Sequence, residues 1–248
     1  MFNFYRNWGI SIFGFARLPL GDALKGISMR VTNQNIDHVI KVIKHQMKDL
    51  PDPSVTLVGK KWKDPFLVLI SCMLSLRTKD ATTLLASQRL FALAQTPKEM
   101  LKLTAQHIEK VIYPVGFYKT KAQRILGICR DILEKFYGQV PSDMDTLLTM
   151  KGVGRKTANL VMTEGFNLPA ICVDTHVHRI SNRLGYLQTK SPEATEMVLR
   201  KQLPLKYWGE YNALLVTWGQ NICKPISPFC SRCDIKNDCA KVGVTTKR

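Results

Sequence analysis

The chain has 248 residues, of which 45% are hydrophobic, so it can bury a sizeable core in one large domain or two lobes. Its 36 lysine and arginine residues outnumber 19 acidic residues, and the resulting net charge of +17 favours a polyanionic partner. The longest apolar run, Phe66 to Leu74, is far shorter than a membrane span, which excludes an integral membrane protein.

Residues 1–30 differ from the rest of the chain, because they are rich in aromatic side chains and contain few acids. They are predicted to be an N-terminal extension, which is either an organellar targeting segment or sequence upstream of a true start at Met29. The second interpretation is favoured, since a targeting segment would contain more serine and arginine.

From Asn35 onwards the apolar residues recur at helical spacing, and no alternating strand pattern occurs. Local start signals are Asp64-Pro65, Asp80 and a capping box from Thr96 to Glu99, and Gly138 is a stop signal. Later helices are predicted near residues 176–187, 191–202 and 206–222. The fold class is therefore all-α, with about ten short helices.

The segment from Leu147 to Ala158 reads Leu-Leu-Thr-Met-Lys-Gly-Val-Gly-Arg-Lys-Thr-Ala. Gly152 and Gly154 suit a turn that leads into a helix N-terminus, where backbone N–H groups can bind a phosphate, although most short glycine turns are only turns. Lys156 lies in the first turn of that helix, where the dipole disfavours an ammonium ion and favours the nucleophilic amine.

Asp174 follows the apolar run from Ala170 to Val173 and precedes a second helical pattern, so it suits an N-cap position. An activatable lysine, a carboxylate and a phosphate-binding turn are the parts that an enzyme acting on a glycosidic bond in a nucleic acid needs. The two segments together therefore predict such an enzyme.

Four of the seven cysteines lie close together near the end of the chain, with the spacing C-x6-C-x2-C-x5-C. Because the total is odd and no secretory signal is clear, we expect a metal centre in a reducing compartment and no disulfide framework. The spacing alone leaves zinc and a [4Fe–4S] cluster open. The candidate ligands are Cys223, Cys230, Cys233 and Cys239.

Together, the Leu147–Ala158 segment, Val173-Asp174-Thr175-His176 and the cysteine tail resemble the endonuclease III family of DNA glycosylases, in the helix-hairpin-helix superfamily. The resemblance implies two helical lobes with DNA in the cleft between them. One lobe is a six-helix domain over residues 58–168, with a helix-hairpin-helix near 144–163. The other joins residues 31–57 to 169–248 and carries a [4Fe–4S] cluster on the four cysteines.

The resemblance further implies that Lys156 and Asp174 are catalytic. The activity would be that of a bifunctional DNA glycosylase and AP lyase, which removes oxidised pyrimidines and nicks the strand in base-excision repair. Two alternatives are a mismatch or adenine glycosylase, which Lys156 disfavours, and a DNA-binding protein whose cluster is only structural or redox-sensing. A membrane-surface protein is less favoured, because residues 1–30 contain no basic amphipathic helix.

The DNA contacts that the resemblance implies are Gly152, Gly154 and Arg155 on the hairpin, Phe117 as an apolar wedge, and Arg77 near the base opposite the lesion. Phe117 could instead be a core residue, and Arg77 an ordinary surface arginine. Arg77 departs from the family, which commonly has glutamine there, so we expect a different opposite-base preference. Lys151 also departs from the family, which usually has proline before the turn.

The expected partner is double-stranded DNA that carries a damaged base or an abasic site, bound by a monomer and with no role for a membrane. Phosphate-directed binding of this kind should weaken steeply with salt. We expect the protein in the cytoplasm with the nucleoid if the source is prokaryotic, and in the nucleus or mitochondrion if it is eukaryotic.

Overall fold

A computed structural model describes residues 31–248; the predicted N-terminal extension and the start at Met29 lie outside the described residues. The described part contains twelve α-helices and no strand, which confirms the all-α fold class. The helices are α1 (Ile36–Met47), α2 (Ser54–Trp62), α3 (Pro65–Ser75), α4 (Asp80–Phe91), α5 (Pro97–Met100), α6 (Ala105–Ile112), α7 (Tyr118–Lys135), α8 (Met144–Thr149), α9 (Arg155–Leu160), α10 (Thr175–Arg183), α11 (Pro192–Gln202) and α12 (Trp208–Asn221).

Several helices begin where a side chain caps the first turn, as the sequence predicts. The Asp64 carboxylate accepts hydrogen bonds from the first N–H groups of α3, and Thr96 and Glu99 form the complete capping box of α5. At the C-terminus of α7, Gly138 has φ +83° and its N–H donates to the carbonyl of Ile132.

The predicted cap at Asp80 is wrong. Asp80 is the first residue of α4, and no side chain caps that helix. One carboxylate oxygen of Asp80 accepts from the Ser54 hydroxyl at 2.6 Å, and the other accepts from the Gln220 amide at 2.6 Å. The carboxylate therefore serves contacts between distant segments, which local spacing could not indicate.

The buried apolar side chains form two separate clusters. The first is built from helices between α2 and α9, and the second joins α1 to α10, α11, α12 and Ile235. From residue 31 onwards, the chain thus runs from the second cluster through the first and back to the second. The domain bounds stay a prediction; Val55 and Cys172, just outside 58–168, pack in the first cluster.

Candidate active site

Asp174 lies at the point where a buried segment becomes a helix. Ile171 and Cys172 are fully buried before it, and Asp174 is the N-cap of α10. Its Oδ1 accepts hydrogen bonds from the N–H groups of His176 and Val177, at 2.8 and 3.0 Å. These two bonds fix the orientation of the carboxylate, so that its second oxygen is presented away from the helix.

Lys156 lies one residue after the start of α9, and its amine faces that second oxygen. The Lys156 Nζ is 3.7 Å from Asp174 Oδ2, while the lysine side chain is 43% exposed and the aspartate side chain 10% exposed. An accessible amine therefore lies beside a carboxylate that is largely shielded from solvent, an arrangement that suits a lysine nucleophile next to a base.

The pair lines an open pocket whose walls come from both clusters. Ser75, Thr78 and Asp80 contribute from the end of α3 and the start of α4, and Asn212 and Gln220 contribute from α12. The Asp80–Gln220 hydrogen bond crosses from one wall to the other. The pocket therefore lies where the two halves of the protein meet, and its shape depends on both.

Arg77 and Phe117 lie together in the structure, although they are far apart in the sequence. Both have left-handed backbone conformations, with φ +53° and +58°, and the Arg77 guanidinium carbon is 5.1 Å from the centre of the Phe117 ring. Phe117 is 60% exposed, so the interpretation of it as a core residue is wrong. An exposed aromatic ring covered by a guanidinium is well suited to enter a nucleic acid duplex.

The glycine turn connects α8 to α9 as a short helix-hairpin-helix. Gly152 has φ +91°, a conformation that disfavours other residues, and Gly154 is the N-cap of α9. The first N–H groups of α9 lie outside its ladder of hydrogen bonds and can bind an anion. The Arg155 guanidinium, however, makes two hydrogen bonds to buried Glu196, so only part of it remains for DNA.

The four tail cysteines line one pocket, together with apolar side chains such as Trp218 and Phe229. No two of them form a disulfide. The Lys241 N–H lies 3.3 Å from the Cys239 sulfur, and the Arg183 guanidinium lies 3.6 Å from the Cys223 sulfur. Burial raises the pKa of the Cys233 thiol to about 12, so a bound cationic centre would be needed to hold thiolates there.

No three of the His, Cys, Asp and Glu side chains within residues 31–248 are arranged to hold a single metal ion.

A protein-family model, described as that of the HhH-GPD superfamily base excision DNA repair protein, matches residues 70–205. The chain belongs to this superfamily. The matched region contains Arg77, Phe117, the hairpin, Lys156 and Asp174, whereas Asn212 and Gln220, which also line the pocket, lie beyond it.

Named relatives and solved structures narrow the similarity within the HhH-GPD superfamily. Endonuclease III of Thermotoga maritima is 49% identical over 179 residues, which is 72% of this chain and 84% of the relative. Endonuclease III of Escherichia coli is 33% identical over 200 residues, which is 81% of this chain and 93% of the relative. A solved structure described as a trapped endonuclease III–DNA covalent intermediate superimposes on this chain with a TM-score of 0.74 and 33% sequence identity. The match covers 84% of this chain and 96% of the chain in that structure.

Two residues of this HhH-GPD protein were missed by sequence reasoning. Lys121 is 4% exposed and Glu196 is 3% exposed, and both make charged hydrogen bonds near the site. Lys121 had a detectable signal, because it precedes Ile125 and Ile128 at helical spacing and so lies on the apolar stripe of α7. For Glu196 the sequence carries no comparable signal.

Within residues 31–248, no helix is both long and apolar enough to cross a membrane.

Proposed function

We propose that this protein is a bifunctional DNA glycosylase and AP lyase that excises oxidised pyrimidines and nicks the strand in base-excision repair. The observation that carries the proposal is the Lys156 amine, 3.7 Å from the Asp174 carboxylate in an open pocket. The proposal is supported by relatives named endonuclease III and by the similar solved structure, in which endonuclease III is covalently bound to DNA.

In the first step, the damaged base is flipped out of the duplex into the pocket beside Lys156. The neutral Lys156 amine attacks C1′, and the bond between C1′ and the base breaks. The electron pair of that bond stays with the departing base, which takes up a proton. The Asp174 carboxylate stabilises the positive charge that develops at the sugar. Its fixed orientation on the α10 N-terminus means that no reorganisation is needed during the reaction.

In the second step, the nitrogen bonded to C1′ loses one of its two protons, and its lone pair forms a C1′=N double bond as the bond between C1′ and O4′ breaks. The ring oxygen takes up a proton, and a protonated Schiff base remains on Lys156. This cation makes the C2′ proton acidic, and its removal expels the 3′ phosphate by β-elimination. A lysine in this position therefore links base removal to strand cleavage, which a mismatch or adenine glycosylase without the lysine would not do efficiently.

The protein would hold the damaged duplex from two sides. The N–H groups at the start of α9, after Gly152 and Gly154, would bind a backbone phosphate, and Lys151 beside the turn adds positive charge. Phe117 would fill the gap that the flipped base leaves, with Arg77 next to the opposite base. One copy of the chain provides all of these groups, which supports a monomer acting on DNA.

The four tail cysteines would hold a [4Fe–4S] cluster. Cys223, Cys230, Cys233 and Cys239 supply four sulfur ligands, and the N–H and guanidinium donors beside two of them suit cluster thiolates. When bound, the cluster would hold the C-terminal loop together and would not take part in base removal.

Borohydride trapping tests the catalytic proposal, because it reduces the Schiff base to a stable adduct between protein and DNA. With a duplex that carries an abasic site, the unaltered protein should form the adduct and Lys156→Gln should form none. Lys102→Gln is the matched control, because it removes an exposed lysine charge outside both the pocket and the hairpin, and its adduct yield should persist. An adduct with Lys156→Gln would exclude Lys156 as the nucleophile.

Iron analysis tests the cluster proposal. Cys233→Ala should lose most of the bound iron and sulfide, because three cysteines cannot complete the ligand set. The control is Cys129→Ala, which removes a buried thiol from the first cluster and should keep the full iron content. Equal iron content in both variants, or zinc in place of iron, would rule the proposal out.

A further inference from the structure

A lysine is buried in the first cluster, close to Arg77 and Phe117. The Lys121 side chain is 4% exposed, and its Nζ donates to the carbonyl oxygens of Leu74 at 2.7 Å and Leu76 at 2.6 Å, and to Thr78 Oγ1 at 3.0 Å. Burial lowers the pKa of Lys121 to about 8, with a smaller contribution from the charge of Arg124. A buried ammonium group is costly, so a lysine held by three uncharged oxygens is expected to have a specific role.

The three oxygens lie on the segment that contains Arg77. The carbonyl of Leu76 precedes Arg77 and the hydroxyl of Thr78 follows it, so Lys121 binds the chain on both sides of this residue. Arg77 has φ +53°, a conformation that an arginine rarely adopts without external support. The Lys121 ammonium supplies that support from the buried side of the segment.

The same lysine is linked to Phe117. The backbone N–H of Lys121 donates to the Phe117 carbonyl at 3.0 Å, within the first turn of α7. Gly116, before Phe117, donates its N–H to Thr78 Oγ1 at 3.2 Å, and a Cβ at Gly116 would lie only 2.5 Å from the Arg77 carbonyl oxygen. The two loops are therefore in direct backbone contact, and the Lys121 side chain joins them.

We propose that Lys121 is a positioning residue that sets Arg77 against Phe117, so that guanidinium and ring enter the duplex as one unit and contact the base opposite the lesion. The proposal rests on the proposed function in that both assume binding to damaged duplex DNA. It adds that the specificity for the opposite base depends on a residue that never touches DNA, acting through the Leu76–Thr78 segment.

The test uses a duplex with an unreactive tetrahydrofuran abasic analogue opposite 2-aminopurine, whose fluorescence rises when it is unstacked. Lys121→Met keeps the length of the side chain but removes all three hydrogen bonds, and Lys119→Met is the control, because Lys119 is exposed on the same helix. With binding saturated, as judged by anisotropy, the unaltered protein and Lys119→Met should give the same rise. Lys121→Met should give a rise about fivefold smaller, because misplacing a contact group by about 1 Å is costly.

Thr78→Val is a second variant, in case Lys121→Met folds poorly. It removes the hydroxyl shared by Lys121 and Gly116, and it should reduce the 2-aminopurine signal in the same direction. Circular dichroism of each variant checks the fold. A full fluorescence rise with either folded variant would overturn the proposal, as would a loss of affinity that is equal for damaged and undamaged duplex.

The proposed function is tested separately, because borohydride trapping depends on Lys156 chemistry and the unreactive analogue does not. If the unaltered protein forms no adduct but still unstacks 2-aminopurine in a Lys121-dependent way, the catalytic proposal fails and the positioning proposal stands. If adducts form while Lys121→Met unstacks the base normally, only the positioning proposal fails.

Discussion

At the scale of single residues, the side chain at position 77 determines which base we expect the protein to prefer opposite the lesion. The guanidinium of Arg77 lies over the ring of Phe117, the proposed wedge, so both side chains would reach the same part of a bound duplex. A guanidinium can donate two parallel hydrogen bonds to guanine, which an amide side chain cannot reproduce.

Arg77→Gln should therefore change the preference among opposite bases, with the largest loss opposite guanine, about tenfold in rate for one bidentate contact. The measurement is strand scission at thymine glycol placed opposite each of the four bases in turn. Lys79→Gln, an exposed neighbouring change, is the control and should leave the ranking as it is. Equal turnover opposite all four bases by the unaltered protein would contradict the role of Arg77.

At the scale of elements, the α8–α9 hairpin depends on one glycine more than on the other. Gly152 has φ +91°, and a Cβ there would lie 3.3 Å from the Met73 side chain. Gly154 has φ −100°, and a Cβ there would meet nothing within 4 Å. The two glycines therefore have different uses, although they look alike in the sequence.

Gly152→Ala should lower the free energy of unfolding by about 1 to 2 kcal/mol, because alanine is strained at positive φ. Gly154→Ala should leave stability nearly unchanged, and any defect it has should appear in DNA affinity alone, where the added methyl meets the phosphate. Urea unfolding and binding to an abasic duplex, measured for both variants, separate these effects. Equal destabilisation by the two changes would refute this account of the turn.

At the scale of the whole molecule, Glu196 connects the two clusters close to Lys156. Its carboxylate pairs with Arg155 at 2.6 Å, at the start of α9, and with Arg200 at 2.9 Å, on its own helix α11. The Arg200 guanidinium also donates to Asn159 on α9. The α9 helix, which carries Lys156, is thereby held against the half of the protein that carries Asp174.

Burial alone would raise the pKa of Glu196, but the hydrogen bonds from Arg155 and Arg200 outweigh it, and the pKa is lowered. A carboxyl group whose pKa is lower in the folded than in the unfolded protein stabilises the fold at pH values above its unfolded pKa of about 4.3. This stabilisation is lost as the pH falls through the pKa of the folded state. At neutral pH the Glu196 carboxylate is therefore ionised and paired with both arginines.

Glu196→Gln should lower the free energy of unfolding by about 2 kcal/mol at pH 7, because it leaves two arginines without their carboxylate. It should also reduce borohydride trapping, since α9 is then less firmly placed. The control is Glu134→Gln, which removes an exposed acid from α7. Urea unfolding at pH 7 and pH 3 should show the difference shrinking at the lower pH; a difference that does not change with pH would exclude the ion pair as its cause.

Much of the local structure could be predicted from the sequence, because its causes lie within a few residues. Asp64, Thr96 and Asp174 cap helices by binding N–H groups two or three positions ahead, so residue type and spacing suffice to predict them. The turn at Gly152 follows equally from the conformational freedom of glycine. The family resemblance then indicated which of these local features belong to a site.

Only the tertiary structure decided which side chains meet across the molecule. The 3.7 Å approach of Lys156 to Asp174, the pairing of Arg155 with Glu196, the contacts of Asp80 and the anchoring of Arg77 by Lys121 all join residues from different elements. Such contacts depend on how helices pack, and packing is set by the summed burial of many apolar side chains, which no local pattern specifies.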